Sequence, residues 1–242
     1  FRRVLFRSLE WGKPDWIQKT HLISGVAHAT DIMRGEEIEV LGVLSAEAMS
    51  PNHAESLLIL PGTHSKHVWV RNGAVVDFQT FMTGELFEVI GKHSLLRASV
   101  QSSSRDATDV TGELAGEELR AFEAGIDHAS ERGLAGGLFR VRTRSVLGQK
   151  PAAENSRYLS GLLIGAELGE LSAVKCPIYL AGTGALAALY SAALRHIRGD
   201  KGGWQLVPPP IMARATILGH AIFLQQTLAR SGELKRSQHD TI

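Results

Sequence analysis

The 242-residue sequence has a single cysteine, Cys176, so it has no internal disulfide and no cysteine-based zinc pattern. A reducing compartment is the expectation. Charge of one sign is lacking too: 26 lysines and arginines face 25 aspartates and glutamates, a formal net charge of +1. Bulk attraction to nucleic acid or to an anionic membrane is therefore excluded as a driving force. No apolar run approaches the ~20 residues that span a bilayer, and the N-terminus has no apolar core followed by a small-residue cleavage site. These absences predict a cytoplasmic protein without nucleic-acid or membrane partners. Three catalytic signatures are also missing: the GxxxxGK[ST] phosphate loop, the GxGxxG dinucleotide turn and the GxSxG nucleophile elbow. What is present is ordinary for a globular chain, with 44% hydrophobic and 21% charged residues, enough to bury one core or two smaller ones.

Phe1 to Ser8, FRRVLFRS, show no periodicity that continues into the next segment, and they back-translate to the end of a common sequencing adapter. They are expected to be non-native and are left out of functional reasoning. Residues 21–29 read as a strand or loop. Thr30 or Asp31 then stands as the N-cap of a helix with Ile32, Met33, Ile38, Leu41 and Leu44 on one face and Arg34, Glu36 and Glu37 in its first turns. From Ser56 the pattern turns to three β-rich runs, LLILPG, KHVWVRNG and AVVDFQTF, and Asn72-Gly73 marks the last two as a hairpin. This is a β-meander. Thr83 is the expected N-cap of a helix carrying Leu86, Phe87, Val89 and Ile90. Residues 99–112 read as a surface loop, followed by helices at about 113–136 and 152–171. PIYLAGTGALAALY is a strand running through Gly182-Thr183-Gly184 into a helix, WQLVPPP is a strand closed by prolines, and 211–229 form a last helix before a fraying tail. A meander, then helices, then a strand–glycine–helix unit specify a mixed α/β protein.

Two readings stand side by side for each polar motif. PGTHSK at 61–66 gathers backbone amides, two hydroxyls and a lysine into a competent phosphate cradle, or it is a polar hairpin turn with a solvated lysine. Glu36 and Glu37 include a candidate general base, or they are charges that suit a helix N-terminus. The turn at 182–184 allows close approach to a ligand or tight strand–helix packing. A zinc site at His64 and His67 is rejected, because strand alternation sends the two imidazoles apart; His28 and His93 add no ligand pattern. Cys176, before a proline in an apolar strand, is no nucleophile candidate.

Three stretches taken together weigh on these alternatives: DIMRGEEIEVLG at 31–42, LILPGTHSKHVWVRNGAVVDFQTFMTGELFEVIGKHSLL at 58–96, and YLSGLLIGAE with LAGTGALAALY at 158–167 and 180–190. The sequence resembles the 2-dehydro-3-deoxygalactonokinase family from about Trp11 to about Ala229. That resemblance implies the actin-like, ribonuclease H-like fold, with an incomplete first domain at 9–55, a complete nucleotide-binding domain at 56–230 and a flexible tail at 231–242. It implies transfer of the ATP γ-phosphate to the 6-hydroxyl of 2-dehydro-3-deoxy-D-galactonate, with Mg²⁺ as the neutralising ion. On this resemblance Gly62, Thr63, His64, Ser65 and Lys66 are phosphate-side residues. Thr83, Gly84 and Glu85 bring free amides to the same cleft, and Gly182, Thr183 and Gly184 pass the adenosine. Arg34 pairs with the substrate carboxylate, while Glu36, in preference to Glu37, accepts the hydroxyl proton. Family members open with a DWGTT-like hairpin that forms a first phosphate grip, and no stretch here resembles it; the chain is expected to be a truncated and inactive fragment. Ala213 also stands where the family pattern has an acidic residue. Another actin-like carbohydrate kinase, or a non-catalytic sugar- or nucleotide-binding module, is the alternative function.

Overall fold

The computed structural model describes residues 23, 25–46, 54–101, 114–200 and 202–231. The eight N-terminal residues, most of the 99–112 loop and all but the first residue of the tail lie outside the described residues. A five-stranded mixed sheet forms the centre, with strands β3 (Glu55–Leu60), β4 (Ser65–Arg71), β5 (Ala74–Phe81), β6 (Ile178–Leu180) and β7 (Trp204–Leu206) in the order β5-β4-β3-β6-β7. The meander pairs antiparallel, β3 with β4 and β4 with β5, while β6 lies parallel to β3 and β7 parallel to β6. Asn72 and Gly73, at φ 51° and 73°, form the expected hairpin turn, whose left-handed backbone matches the twist of its strands. A register shift beside Trp69 and Val70 bends the edge.

Period-two alternation builds a core on each face of this sheet. Leu58, Leu60, Val68, Val70, Phe78 and Tyr179 face one way, against α1 (Glu36–Ser45) and α6 (Pro209–Ser231). Leu57, Ile59, Ile178 and Leu180 face the other, against α3 (Gly116–Val146), α4 (Ala152–Leu168) and α5 (Gly184–Arg198). Each side chain of this kind contributes about 1.5–3 kcal/mol when fully buried. Glycines let the covering helices touch backbone to backbone. A Cβ on Gly42 of α1 would stand 1.8 Å from the Ala215 carbonyl oxygen of α6, and one on Gly161 of α4 would stand 1.9 Å from that of Phe122 in α3.

Several element boundaries differ from the sequence reading. Ile32 and Met33 are not helical: they form β2, which pairs with β1 (Val26–Ala27). Asp31 is consequently no N-cap; its carboxylate accepts from Ile32 N at 2.7 Å and from Thr80 N at 2.6 Å, tying this small hairpin to the sheet edge. Gly35, at φ 110°, turns the chain into α1. The helix α2 (Thr83–His93) is preceded by Met82 as its N-cap, so Thr83 is its first residue and its hydroxyl is spent elsewhere. The expected 113–136 helix continues to Val146, broken at Gly133, where φ is 70°. The helix begun at 152 ends at Leu168, and a 3-10 turn (Gly169–Ala173) takes over. No helix among the described residues is long and apolar enough to cross a membrane.

Candidate active site

Strands β3, β6 and β7 run parallel, so their carboxyl ends open on one edge of the sheet, which is where open α/β sheets form ligand crevices. A cleft of about 730 Å³ lies there. The turn after β3 supplies Pro61, Gly62, Thr63 and His64, and the segment after β6 supplies Ala181, Gly182 and Thr183. Pro209, Met212 and Ala213 come from the start of α6, and Leu60 and Leu186 complete an apolar wall. From the opposite side α1 contributes Glu36 and Glu39. Residues far apart in the chain, at 36–39, 60–64 and 181–186, therefore line one volume.

Lys66 sits behind that lining. Its side chain is 3% exposed, and its ammonium donates to Glu36 Oε1 at 2.9 Å and to the His64 carbonyl at 2.8 Å. It is not a solvated lysine: it fixes the turn and pairs with the cleft carboxylate. The other Glu36 oxygen accepts from Arg34 N at 3.0 Å, while the exposed Arg34 is not among the lining residues. Glu37 points elsewhere. It is buried, its carboxylate accepts from Gly35 N at 2.6 Å, and burial pushes its pKa up, opposed by hydrogen bonds from the Glu37 and Gly35 backbone. Between the two candidate bases, the geometry puts only Glu36 in the cleft.

The segment 83–85 buttresses the cleft from outside. The Glu85 amide, expected to be free for an anion, donates to the Thr63 carbonyl at 3.0 Å. Gly84 presses on the same turn; a Cβ there would lie 2.6 Å from the Gly62 carbonyl oxygen. The Glu85 carboxylate meets His64 Nε2 at 2.5 Å. Gly184 starts α5 at φ 60° and does not line the cleft. Ser65 and His67 both turn away from the cleft to the carboxylate of Glu167, so the two histidines of HxxH do diverge, as strand alternation requires.

Two residues escaped the sequence reading. Glu39 lies three residues after Glu36 on the same helix face, a spacing that signals a paired carboxylate; burial, then the Glu36 charge, raises its pKa. Glu167 has 1% side-chain exposure and takes hydrogen bonds from Ser65, His67, Thr83 and Tyr190. Burial works to raise its pKa, and the bonds from these partners, led by His67, outweigh it and hold the carboxyl below the usual range. Its position in the apolar stripe of α4 gave no outward sign.

A family profile described as 2-keto-3-deoxy-galactonokinase matches residues 11–202. The chain is 37% identical over 142 residues to the 2-dehydro-3-deoxygalactonokinase of Escherichia coli (strain K12), covering 58% of this chain and 42% of that protein. It is 36% identical over 190 residues to Rhizobium meliloti (strain 1021) DgoK1, assigned as a 2-dehydro-3-deoxygalactonokinase, covering 75% of this chain and 58% of that one. The chain thus spans about half the length of the curated relatives it matches. A Sinorhizobium meliloti crystal structure with the same assignment superposes with a TM-score of 0.70 at 30% identity, covering 88% of this chain and 66% of that one. The 61–66 and 182–184 turns and Glu36 fall within the matched stretch, and the chain belongs to the 2-keto-3-deoxy-galactonokinase family.

Proposed function

We propose that this chain carries the nucleotide-binding part of an ATP-dependent sugar-acid kinase of actin-like architecture, acting on the 6-hydroxyl of 2-dehydro-3-deoxy-D-galactonate. The observation that carries the reading is the convergence of the 61–64 turn, the 181–183 turn and Glu36 on one cleft at the carboxyl ends of parallel strands. The sheet order β5-β4-β3-β6-β7, an antiparallel meander extended by parallel strands, supports the ribonuclease H-like assignment. In this reading residues 56–230 form the nucleotide-binding domain, and residues 9–55 bring the substrate side.

The residues present fit a magnesium nucleotide. The cleft volume lies within the ~300–1,000 Å³ of small-molecule sites. Leu60, Leu186 and Met212 offer an apolar surface to a purine, and Gly62, Thr63 and His64 offer backbone amides to phosphate oxygens. Magnesium binds through one or two carboxylates besides phosphate oxygens and water, and Glu39 is the cleft carboxylate not engaged by Lys66. When bound, ATP supplies the phosphoryl group and Mg²⁺ neutralises charge along its β and γ oxygens. The chain's own groups do the rest. Glu36, with Lys66 as its counter-ion, would accept the proton of the attacking hydroxyl, with ADP leaving as the γ-phosphorus loses its bond to the bridging oxygen. Exposed Arg34, next to that site in sequence, takes the substrate carboxylate in a charge-assisted pair.

The test is ATP-dependent phosphorylation of 2-dehydro-3-deoxy-D-galactonate, against its gluconate epimer and simple hexoses, by this chain and by the longest open reading frame that encodes it. Turnover of the galactonate derivative by the longer protein, lost in its Glu36→Gln variant, with none by this chain alone, is the expected result. Turnover of a hexose instead would move the assignment to another carbohydrate kinase. Binding of ATP with no turnover of any acceptor would favour a non-catalytic nucleotide-binding module.

A further inference from the structure

Glu167 lies outside the cleft, and none of the four side chains it bonds is among the residues that line it. Its Oε1 accepts from Ser65 Oγ at 2.6 Å and from His67 Nε2 at 3.0 Å, and its Oε2 accepts from Tyr190 OH at 2.6 Å and from the Thr83 hydroxyl. A carboxylate has about four lone-pair sites, and all four are used. The four donors belong to elements that hold the cleft. Ser65 directly follows the 61–64 turn. Thr83 opens α2, whose Gly84 abuts Gly62 and whose Glu85 amide holds the Thr63 carbonyl. Tyr190 sits on α5, the helix that begins where the 181–183 segment ends.

For stability alone, apolar packing serves a buried position as well as an ionised group, and often better. A carboxylate does what apolar packing does not: it accepts from four directions in one plane, so each donor fixes the position of the others. We infer that Glu167 is a positioning residue, a buried carboxylate latch that sets the spacing between the 61–64 turn and the 181–183 turn and thereby controls nucleotide binding without touching the nucleotide. This rests on the kinase reading for what the two turns bind. The latch itself rests on the four hydrogen bonds.

Glu167→Gln keeps the shape but removes the charge, and its NH₂ group faces two groups that donate to the carboxylate, so those hydrogen bonds must reverse or break and the partners no longer share one acceptor. Binding of ATP–Mg²⁺ to the full chain is followed by titration calorimetry. Hydrogen exchange is followed in peptides covering 61–66 and 181–187. The expected result is at least tenfold weaker binding with faster exchange in both peptides. Asn155→Ala serves as the comparison, since Asn155 is fully buried and bonded to the Ser99 carbonyl and to Arg144, none of which lines the cleft. It should lower the melting temperature while leaving the affinity and both peptides unchanged. If Glu167→Gln does not fold, Thr83→Val and Ser65→Ala each remove one donor, and each should weaken binding severalfold. Wild-type affinity together with unchanged exchange in the folded variants overturns the latch. A wild-type chain that fails to bind ATP–Mg²⁺ overturns the kinase reading alone, and exchange at 61–66 and 181–187 then decides the latch.

Discussion

The two faces of β4 carry adjacent residues into opposite surroundings. Ser65 and His67 point into the helical layer and end on Glu167, whose side chain is 1% exposed. Lys66, between them, points to the other face and ends on Glu36, 30% exposed and lining the cleft. One carboxylate is sealed behind the phosphate-turn candidate and the other is open in front of it. The difference teaches that a single strand, through its two-residue period, separates the work of holding a turn from the work of meeting a ligand.

The largest effect expected from this contrast is on stability. Glu167→Ala strands four buried donors and should cost about 3–5 kcal/mol in urea unfolding, the range for breaking a buried charged pair. Lys66→Met should cost only about 1–2 kcal/mol, because water reaches the half-exposed Glu36 that it abandons. Its main effect should be more than tenfold weaker ATP–Mg²⁺ binding. Equal losses of stability in the two variants would break the comparison. Next in size is Gly84→Ala, whose Cβ would meet the Gly62 carbonyl oxygen at 2.6 Å and the Thr63 Cα at 2.8 Å. Backbone cannot give as a side chain can, so overpacking of about 1–3 kcal/mol is expected, together with a displaced turn and weaker nucleotide binding.

Acid titration separates the sealed carboxylates by sign. Glu167 is held below the ordinary carboxyl value of 4.5, so its contribution is complete above that value and is lost as pH falls through the lower folded-state pKa. Glu37 is raised above 4.5, chiefly by burial, so it opposes folding progressively as pH rises from 4.5 through its folded-state value. Melting temperature against pH should therefore lose its steep acid limb in Glu167→Gln and flatten above 4.5 in Glu37→Gln. Identical profiles for the two variants would show that the environments are alike.

Much of this fold was legible locally. The meander followed from β-rich runs and Asn72-Gly73, and the strand–turn–helix unit at 178–198 followed from an apolar run ending in glycines. The helix expected after Asp31 was misread because Ile32 and Met33 fit a helical stripe as well as a two-residue strand, and only pairing with Val26 and Ala27 decides between them. The turns at 61–64 and 182–183 were readable as ligand candidates from their composition. The preference for Glu36 over Glu37 came with the family resemblance and not from local pattern, since the two are neighbours and which one faces the cleft depends on how α1 lies against α6. Glu167 was hidden for a stronger reason: its partners Ser65 and His67 are 102 and 100 residues away, and no local period encodes such a contact.

The smallest change tests the separation most finely. Tyr190→Phe removes a single donor from Glu167 and leaves Thr83 on the same oxygen. Burial, then the Glu167 charge, pushes the Tyr190 phenol far up, so it serves only as a donor. Its loss should cost about 1 kcal/mol. In a double-mutant cycle Tyr190→Phe should couple to Glu167→Gln by more than about 0.5 kcal/mol, since the two share one hydrogen bond. With Lys66→Met it should add within roughly 0.5 kcal/mol, because the two side chains lie on opposite faces of the sheet and share no partner. Strong coupling across the sheet would mean that the latch and the cleft carboxylate move as one unit, and the division of labour along β4 would then have to be given up.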